Sequence, residues 1–214
     1  MSYPQWPGQL QNGLAMMNLS FSDHQQHQLL AFLALLNKWN KAYNLTAVRD
    51  PQTMVSRQLL DSLSVLPWVT TDYLLDVGAG GGLPGIPLAI VFPDKHFTLL
   101  DSNGKKTRFL NQCVLELGLK NVEVIHGRAE DCQPAQRFTQ ISSRAFTALE
   151  NLVAWCEDLL APEGEFLAMK GLYPEDEVAA LPAGWKVESS HSLNVPGADG
   201  ERHLLIVARA EQHR

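Results

Sequence analysis

The stretch Leu74-Leu75-Asp76-Val77-Gly78-Ala79-Gly80-Gly81-Gly82-Leu83-Pro84-Gly85 decides how the rest of the chain is read. Its first four residues complete a short aliphatic run, Tyr73–Val77, with the length and composition of a buried strand. Five glycines then fall within the eight positions from Gly78 to Gly85. Without Cβ atoms, such a turn lets backbone approach a ligand closely. A helical pattern resumes near Pro84, so unpaired first-turn amides are expected to face that ligand. Asp101 closes the next aliphatic run, 21 residues beyond Gly80, where a carboxylate can accept hydrogen bonds from two ribose hydroxyls.

Downstream, further aliphatic runs appear at His96–Leu100, Val122–Ile125, Phe138–Ser142 and Phe166–Met169, with helical patterns between them, notably Lys105–Leu117 and Thr147–Leu160. Such alternation needs crossovers and predicts an α/β fold, a mainly parallel sheet with helices on both faces. Trp185–Ser190 and His203–Ala208 have no long helix between them, which predicts an antiparallel pair at one edge. Upstream the texture is helical. Leu29, Leu30, Leu33, Leu36, Trp39 and Tyr43 recur at helical spacing after a cap at Ser22 or Asp23. Asp50-Pro51 signals a second helix running toward Leu63. This region is expected to be a helical prefix packed on the α/β part of the chain.

Composition narrows the function classes. With 214 residues and 45% hydrophobic content the chain builds its core without a staple. No apolar run approaches the roughly 20 residues of a membrane span, and the opening, Met1–Asn12, lacks the order of a signal peptide. Cys113, Cys132 and Cys156 form no CxxC pair, which suggests a reduced, cytoplasmic setting. Cys113 and Cys156 fall on apolar helical faces and read as core residues. His24 and His27 have no third ligand nearby, so no metal site is expected. The balance of 17 Lys+Arg against 23 Asp+Glu, net −6, argues against non-specific coating of nucleic acid but not against a local basic patch.

Gly80-x-Gly82-x-x-Gly85 alone matches a dinucleotide fingerprint, and two ligands fit it: a dinucleotide or S-adenosylmethionine. Asp76 tips the choice, because a carboxylate there repels a pyrophosphate and attracts a cationic sulfonium or ammonium. A dinucleotide fold also usually begins with this turn, whereas here a long helical prefix precedes it. The methyl donor is favoured.

Taken together, Asp76–Gly85 with Leu83-Pro84-Gly85-Ile86-Pro87, Leu99-Leu100-Asp101-Ser102 and Lys105-Lys106-Thr107-Arg108-Phe109-Leu110 resemble the bacterial small-subunit ribosomal RNA methyltransferase G family, formerly glucose-inhibited division protein B. Arg128-Ala129-Glu130, Ser143-Arg144-Ala145-Phe146, Met169-Lys170-Gly171 and Gly200-Glu201-Arg202-His203-Leu204 continue the match. In the prefix it runs through Trp39–Thr46 and Leu59-Leu60-Asp61-Ser62-Leu63. The resemblance implies a class I, Rossmann-like methyltransferase fold with seven strands, the last antiparallel. It divides the chain into a helical extension, residues 1–66, and a methyltransferase domain, residues 67–214. It also implies methylation of N7 of one guanine in the decoding-region loop of 16S rRNA, with the small subunit or its RNA as partner; separately, the chain is expected to act as a monomer. Gly78 and Leu83 would then lie against the donor, Ala129 and Glu130 beside its adenine, Asp101 at its ribose and Arg144 near it. Asp76, Gly80 and Ser102 complete the expected donor set. Gln58 and Thr139 depart from the family's common His and Asp.

Guanine N7 carries a lone pair and no proton, so methyl transfer to it needs alignment rather than a general base. No Ser/His/Asp or Cys/His constellation appears in the chain. Lys105, Lys106 and Arg108 follow the second strand, while Arg144 and Lys170 follow the fourth and fifth. All five are expected to ring one crevice and meet RNA, with Arg144 and Lys170 positioning the substrate. Phe146 is a candidate for stacking on a displaced base. His126 and His203 read as loop residues. A small-molecule methyltransferase, a nicotinamide-dependent oxidoreductase and a non-catalytic RNA-binding remnant are the competing readings.

Overall fold

A computed structural model describes residues 2–211. Met1, which opens the stretch read for a leader, and the last three residues of the 67–214 region lie outside them. Seven strands form one sheet: β1 Tyr73–Val77, β2 His96–Asp101, β3 Val122–His126, β4 Phe138–Arg144, β5 Leu160–Lys170, β6 Trp185–Ser192 and β7 His203–Arg209. Their order is β3-β2-β1-β4-β5-β7-β6. β1 pairs in parallel with β2 and β4, β2 with β3, and β4 with β5. β7 is antiparallel to both β5 and β6. The chain therefore starts at the middle of the sheet, winds out to β3, then returns past β1 through β4. That reversal between β1 and β4 opens a crevice at the strands' carboxyl ends.

The central strands read as continuous apolar runs because helices cover both faces. The prefix carries α1 Trp6–Met16 and α2 Asp23–Tyr43. It continues through α3 Pro51–Met54, a π-helical turn Val55–Leu60, and α4 Asp61–Leu63. α5 Gly85–Val91, α6 Gly104–Leu117, α7 Leu149–Cys156 and α8 Glu175–Ala179 complete the helices named here. Ser22 caps α2 with a capping box, its Oγ accepting from the Gln25 amide while the Gln25 side chain accepts from the Ser22 amide. Leu29, Phe32, Leu33 and Leu36 form the buried stripe of α2, at the spacing that marks the helix in the sequence. Asp50 caps α3, accepting from the Gln52 amide.

One core cluster joins Trp6, Leu10 and Leu14 of α1 with Phe32 and Leu36 of α2, Ile86 of α5 and Phe109 and Leu110 of α6. The change at residue 66 is thus one of element type, and apolar packing crosses it. α7 ends at Cys156, short of the stretch expected to run to Leu160, because Leu160 already pairs with Phe138 as the first residue of β5. α1 has no counterpart among the sequence expectations. Its Trp6 indole donates to the Pro51 carbonyl at 2.8 Å, and Gly13 lies so close to Leu60 that a Cβ would sit 2.3 Å from Leu60 Cδ1. Cys113 and Cys156 are buried, and burial pushes both thiols up. Among the described residues no helix is long and apolar enough to cross a membrane, and no cluster of His, Cys, Asp and Glu could hold a metal.

Candidate active site: two cavities at the carboxyl edge

The glycine turn leaves β1 with Gly78 at φ +61 and is knotted to its neighbours by short contacts. Ala79 donates to the Leu100 carbonyl at 3.1 Å and Gly82 to the Ala79 carbonyl at 2.7 Å. Asp101 Oδ2 accepts from the Gly80 amide at 2.9 Å, and its Oδ1 from the Asn103 amide at 2.8 Å. One carboxylate so binds the turn to the end of β2. Each oxygen keeps a further lone pair, since a carboxylate can accept about four hydrogen bonds. Asn103 in turn caps α6, accepting from the amides of Lys105 and Lys106.

A cavity of about 370 Å³ opens beside this turn. Gly78, Asp101, Ser102 and Lys106 form one side of it, and Ala129, Glu130, Phe146 and Trp155 the other. A second cavity, about 470 Å³, lies at the ends of β4 and β5. Arg144, Met169, Lys170 and Arg202 line it with Asp61 of α4. Ala145 and Phe146 belong to both walls, so they form the partition. Ala145 sits in the left-handed region at φ +49, a conformation costing a non-glycine residue of order 1–3 kcal/mol and found at functional sites. Phe146 covers Gly78 so closely that a Cβ there would lie 2.2 Å from Phe146 Cδ2, and it meets Trp155 edge-on at 5.8 Å.

The second cavity is organised by a buried carboxylate. Asp61 Oδ2 pairs with Arg144 Nε at 3.2 Å and Oδ1 with Arg202 Nε at 2.9 Å. Arg144 Nη2 donates to the Arg57 carbonyl at 2.9 Å, whereas its Nη1 is buried with no acceptor among the described residues. Arg202 Nη1 donates to the carbonyls of Asp199 and Gly200. Lys170 is held at 2.8 Å by Glu177 and donates to the Thr147 carbonyl at 3.0 Å. The wall therefore presents oriented cations, with Arg144 Nη1 lacking an acceptor.

Several expected residues fall elsewhere. Asp76 does not line either cavity: it is fully buried under the turn, Oδ1 accepting from Ser142 Oγ at 3.0 Å and Oδ2 from the Gly85 amide at 3.0 Å. Burial lifts its pKa to about 7 against the lowering pull of those hydrogen bonds and of Arg144. The expectation that it faces a sulfonium is replaced by a role in fastening α5 to β1. The first-turn amides of α5 are likewise engaged, Gly85 by Asp76 and Ile86 by the Gly82 carbonyl at 2.7 Å. Gly80 contributes its amide to Asp101 rather than to the cavity wall, and Leu83 packs into the core cluster shared with the prefix. Lys105 and Arg108 are outside both cavities, while Lys106 lines the first and not the second. The five cations therefore do not ring one crevice. Gln58 is buried and donates to Thr46 Oγ1 at 3.3 Å; Thr139 bonds Thr71 at the surface. Asp61, Arg202 and Trp155 are site residues for which the sequence alone suggests no role. A carboxylate inside a leucine-rich helical pattern, Leu59-Leu60-Asp61-Ser62-Leu63, is the one local signal available for Asp61.

Comparisons with known proteins bear on the fold and the family. The model of a family described as rRNA small subunit methyltransferase G matches residues 25–205. The "Ribosomal RNA small subunit methyltransferase G" of Marinobacter nauticus is 87% identical over 214 residues, covering 100% of both chains. Its counterpart from Ectopseudomonas mendocina is 58% identical, covering 94% of this chain and 95% of the relative. Among solved structures, a putative O-methyltransferase from Klebsiella pneumoniae aligns with TM-score 0.59 at 12% identity, over 96% of this chain and 98% of that one. A glycopeptide N-methyltransferase complexed with (S)-adenosyl-L-methionine aligns with TM-score 0.60 at 12% identity, over 72% of this chain and 95% of that one. At such identity the two structures establish the class I methyltransferase fold alone, and the oxidoreductase and small-molecule readings fall to the close relatives. A likeness carried through nearly the whole chain places it in the rRNA small subunit methyltransferase G family, as a methyltransferase of small-subunit ribosomal RNA.

Proposed function

We propose that the chain moves a methyl group from S-adenosylmethionine to N7 of one guanine in the decoding-region loop of 16S rRNA, with the donor in the first cavity and the guanine in the second. The observation that carries this reading is the pair of adjoining cavities with Ala145 and Phe146 in both linings. The first cavity fits the donor. Its volume of about 370 Å³ is within the range of small-molecule sites, and Gly78 offers backbone with no Cβ. Gly78 and Ser102 hold the donor's near side, Asp101 has lone pairs for its ribose, and Ala129 with Glu130 flanks its adenine. Asp76, Gly80 and Leu83 act through the shape of the turn. When bound, the donor supplies a methyl group activated by its sulfonium.

The second cavity provides alignment. N7 of guanine has no proton to remove, and no residue here is asked to act as a base. The neighbouring O6 is an acceptor, and the Arg144 guanidinium, a donor, belongs to the lining of this cavity. Lys170, fixed by Glu177 and Thr147, adds a second oriented cation. Adenine presents an amino group where guanine presents O6, so a wall of donors rejects it. Lys105, Lys106 and Arg108 serve as phosphate contacts along α6. Both cavities are completed within one chain, consistent with a monomer acting in the cytoplasm, where ribosomal subunits are built.

Mass spectrometry of 16S rRNA from cells with and without the protein tests the assignment: one guanine should lose a base methyl group in the knockout. Arg144→Ala and Lys170→Ala should each fail to restore it. Restoration by both variants would remove the second cavity from the reaction.

A further inference from the structure

Leu172 is 73% exposed and Tyr173 38% exposed. They are the one adjacent pair among the exposed large hydrophobic side chains of the described residues; Met16, Tyr43 and Leu115 stand apart. They come directly after Lys170 and Gly171, which line the second cavity. The loop is anchored there as well. His203 Nδ1 lies 2.7 Å from the Gly171 carbonyl, and the Tyr173 ring meets His203 edge-on at 5.9 Å. Apolar side chains that follow the lining residues of a cavity in this way expose surface to water unless something covers them.

A base inside an RNA stack cannot reach a cavity in the protein unless it is withdrawn, and withdrawal leaves its neighbours unstacked. Proteins commonly refill such a gap with an aromatic or apolar side chain. We propose that Leu172 and Tyr173 form a lip that packs on the bases flanking the target guanine while that guanine occupies the second cavity. The inference rests on the function proposed above. Charge gives the RNA its orientation. Glu175 and Asp176 open α8 one residue beyond Tyr173, after Pro174, and Glu177 is taken by Lys170. Acids on this side repel phosphates, so the strand presents bases to Leu172 and Tyr173 and turns its backbone away.

The test compares Leu172→Ala, Tyr173→Ala and wild-type protein on small ribosomal subunits lacking the modification and on protein-free 16S rRNA. Both side chains are surface-exposed, and donor titration by calorimetry checks that each variant keeps the wild-type donor affinity. The expected result is a fall of about tenfold in kcat/KM on whichever RNA form wild type methylates. A photo-crosslinking residue at position 172 should attach to nucleotides neighbouring the methylated guanine. Unchanged kcat/KM in both variants overturns the lip, as does a crosslink to a ribosomal protein. If wild type methylates no guanine in either RNA form, the underlying function is what fails, and the two failures are told apart by that control.

Discussion

The two cavities share a wall and are built by different means. The first is centred on a glycine turn, the end of β2 and the short segment Ala129–Glu130, brought together by neighbouring strands of one sheet, with Phe146 and Trp155 added from beyond β4. The second is made of side chains from separate parts of the chain. Asp61 comes from the prefix, Arg144 from β4, Lys170 from β5 and Arg202 from the loop before β7. A site centred on a turn is specified where it stands, by residues that permit an unusual path. A side-chain site holds only while its distant contributors hold one another, and here a single buried carboxylate joins two of them. The helical prefix consequently does more than cover the sheet: it supplies the anion that orients the cations of the site.

That contrast can be broken experimentally, most strongly at the glycine turn. Gly78→Val puts a branched side chain at φ +61 and against Phe146, so donor affinity should fall about 100-fold or more, read by calorimetry, while the circular dichroism spectrum stays native. Undiminished affinity would show that the first cavity does not take the donor. Asp61→Ala is the corresponding change in the second cavity. Removing a buried carboxylate between two guanidiniums leaves them uncompensated, so rRNA methylation should fall about 100-fold. Donor affinity should change far less, and equal loss of both quantities would mean that the cavities are not separable.

A smaller effect concerns pH. A carboxyl whose pKa is higher folded than unfolded favours the fold fully below the unfolded value, and that contribution is lost as pH climbs through the folded value. For Asp76 the window runs from its ordinary value of 3.8 to about 7. Asp76→Asn keeps an acceptor for Gly85 and a group for Ser142 without titrating. Melting temperatures between about pH 5 and pH 8 should therefore drop for wild type relative to this variant, and parallel curves would discount the buried carboxyl. Least affected should be Lys105→Ala and Arg108→Ala. Each cation should weaken rRNA binding about two- to threefold at low salt, with the difference shrinking as salt rises. A loss as large as that for Asp61→Ala would mean that α6 carries base recognition.

Legibility in the sequence divides along the same line. The strands of the sheet are recognisable because burial on both faces demands short aliphatic runs, and Tyr73–Val77 has the same bounds in sequence pattern and structure. The pattern overextends α7 because Leu159 and Leu160 continue its helical spacing, yet pairing of Leu160 with Phe138 takes that residue into β5. α1 is hard to see because Gly8 and Gly13 weaken its intrinsic helicity by about 1 kcal/mol each. Gly13 is there for the close approach of Leu60, a requirement visible only across the fold.

The amino-acid order on its own settled the α/β alternation, the glycine turn at a strand tip and the acid one strand away, since these depend on residues close in sequence and on the short period of strands and helices. Which carboxylate lines a cavity was decided by the tertiary structure. Asp76 and Asp101 lie on neighbouring strands beside the same turn, and only the sheet and α5 bury the first while leaving the second at a cavity wall. The joining of Asp61 to Arg144 and Arg202 was likewise settled there, because Coulomb attraction and desolvation depend on distance in space, which local sequence patterns do not encode.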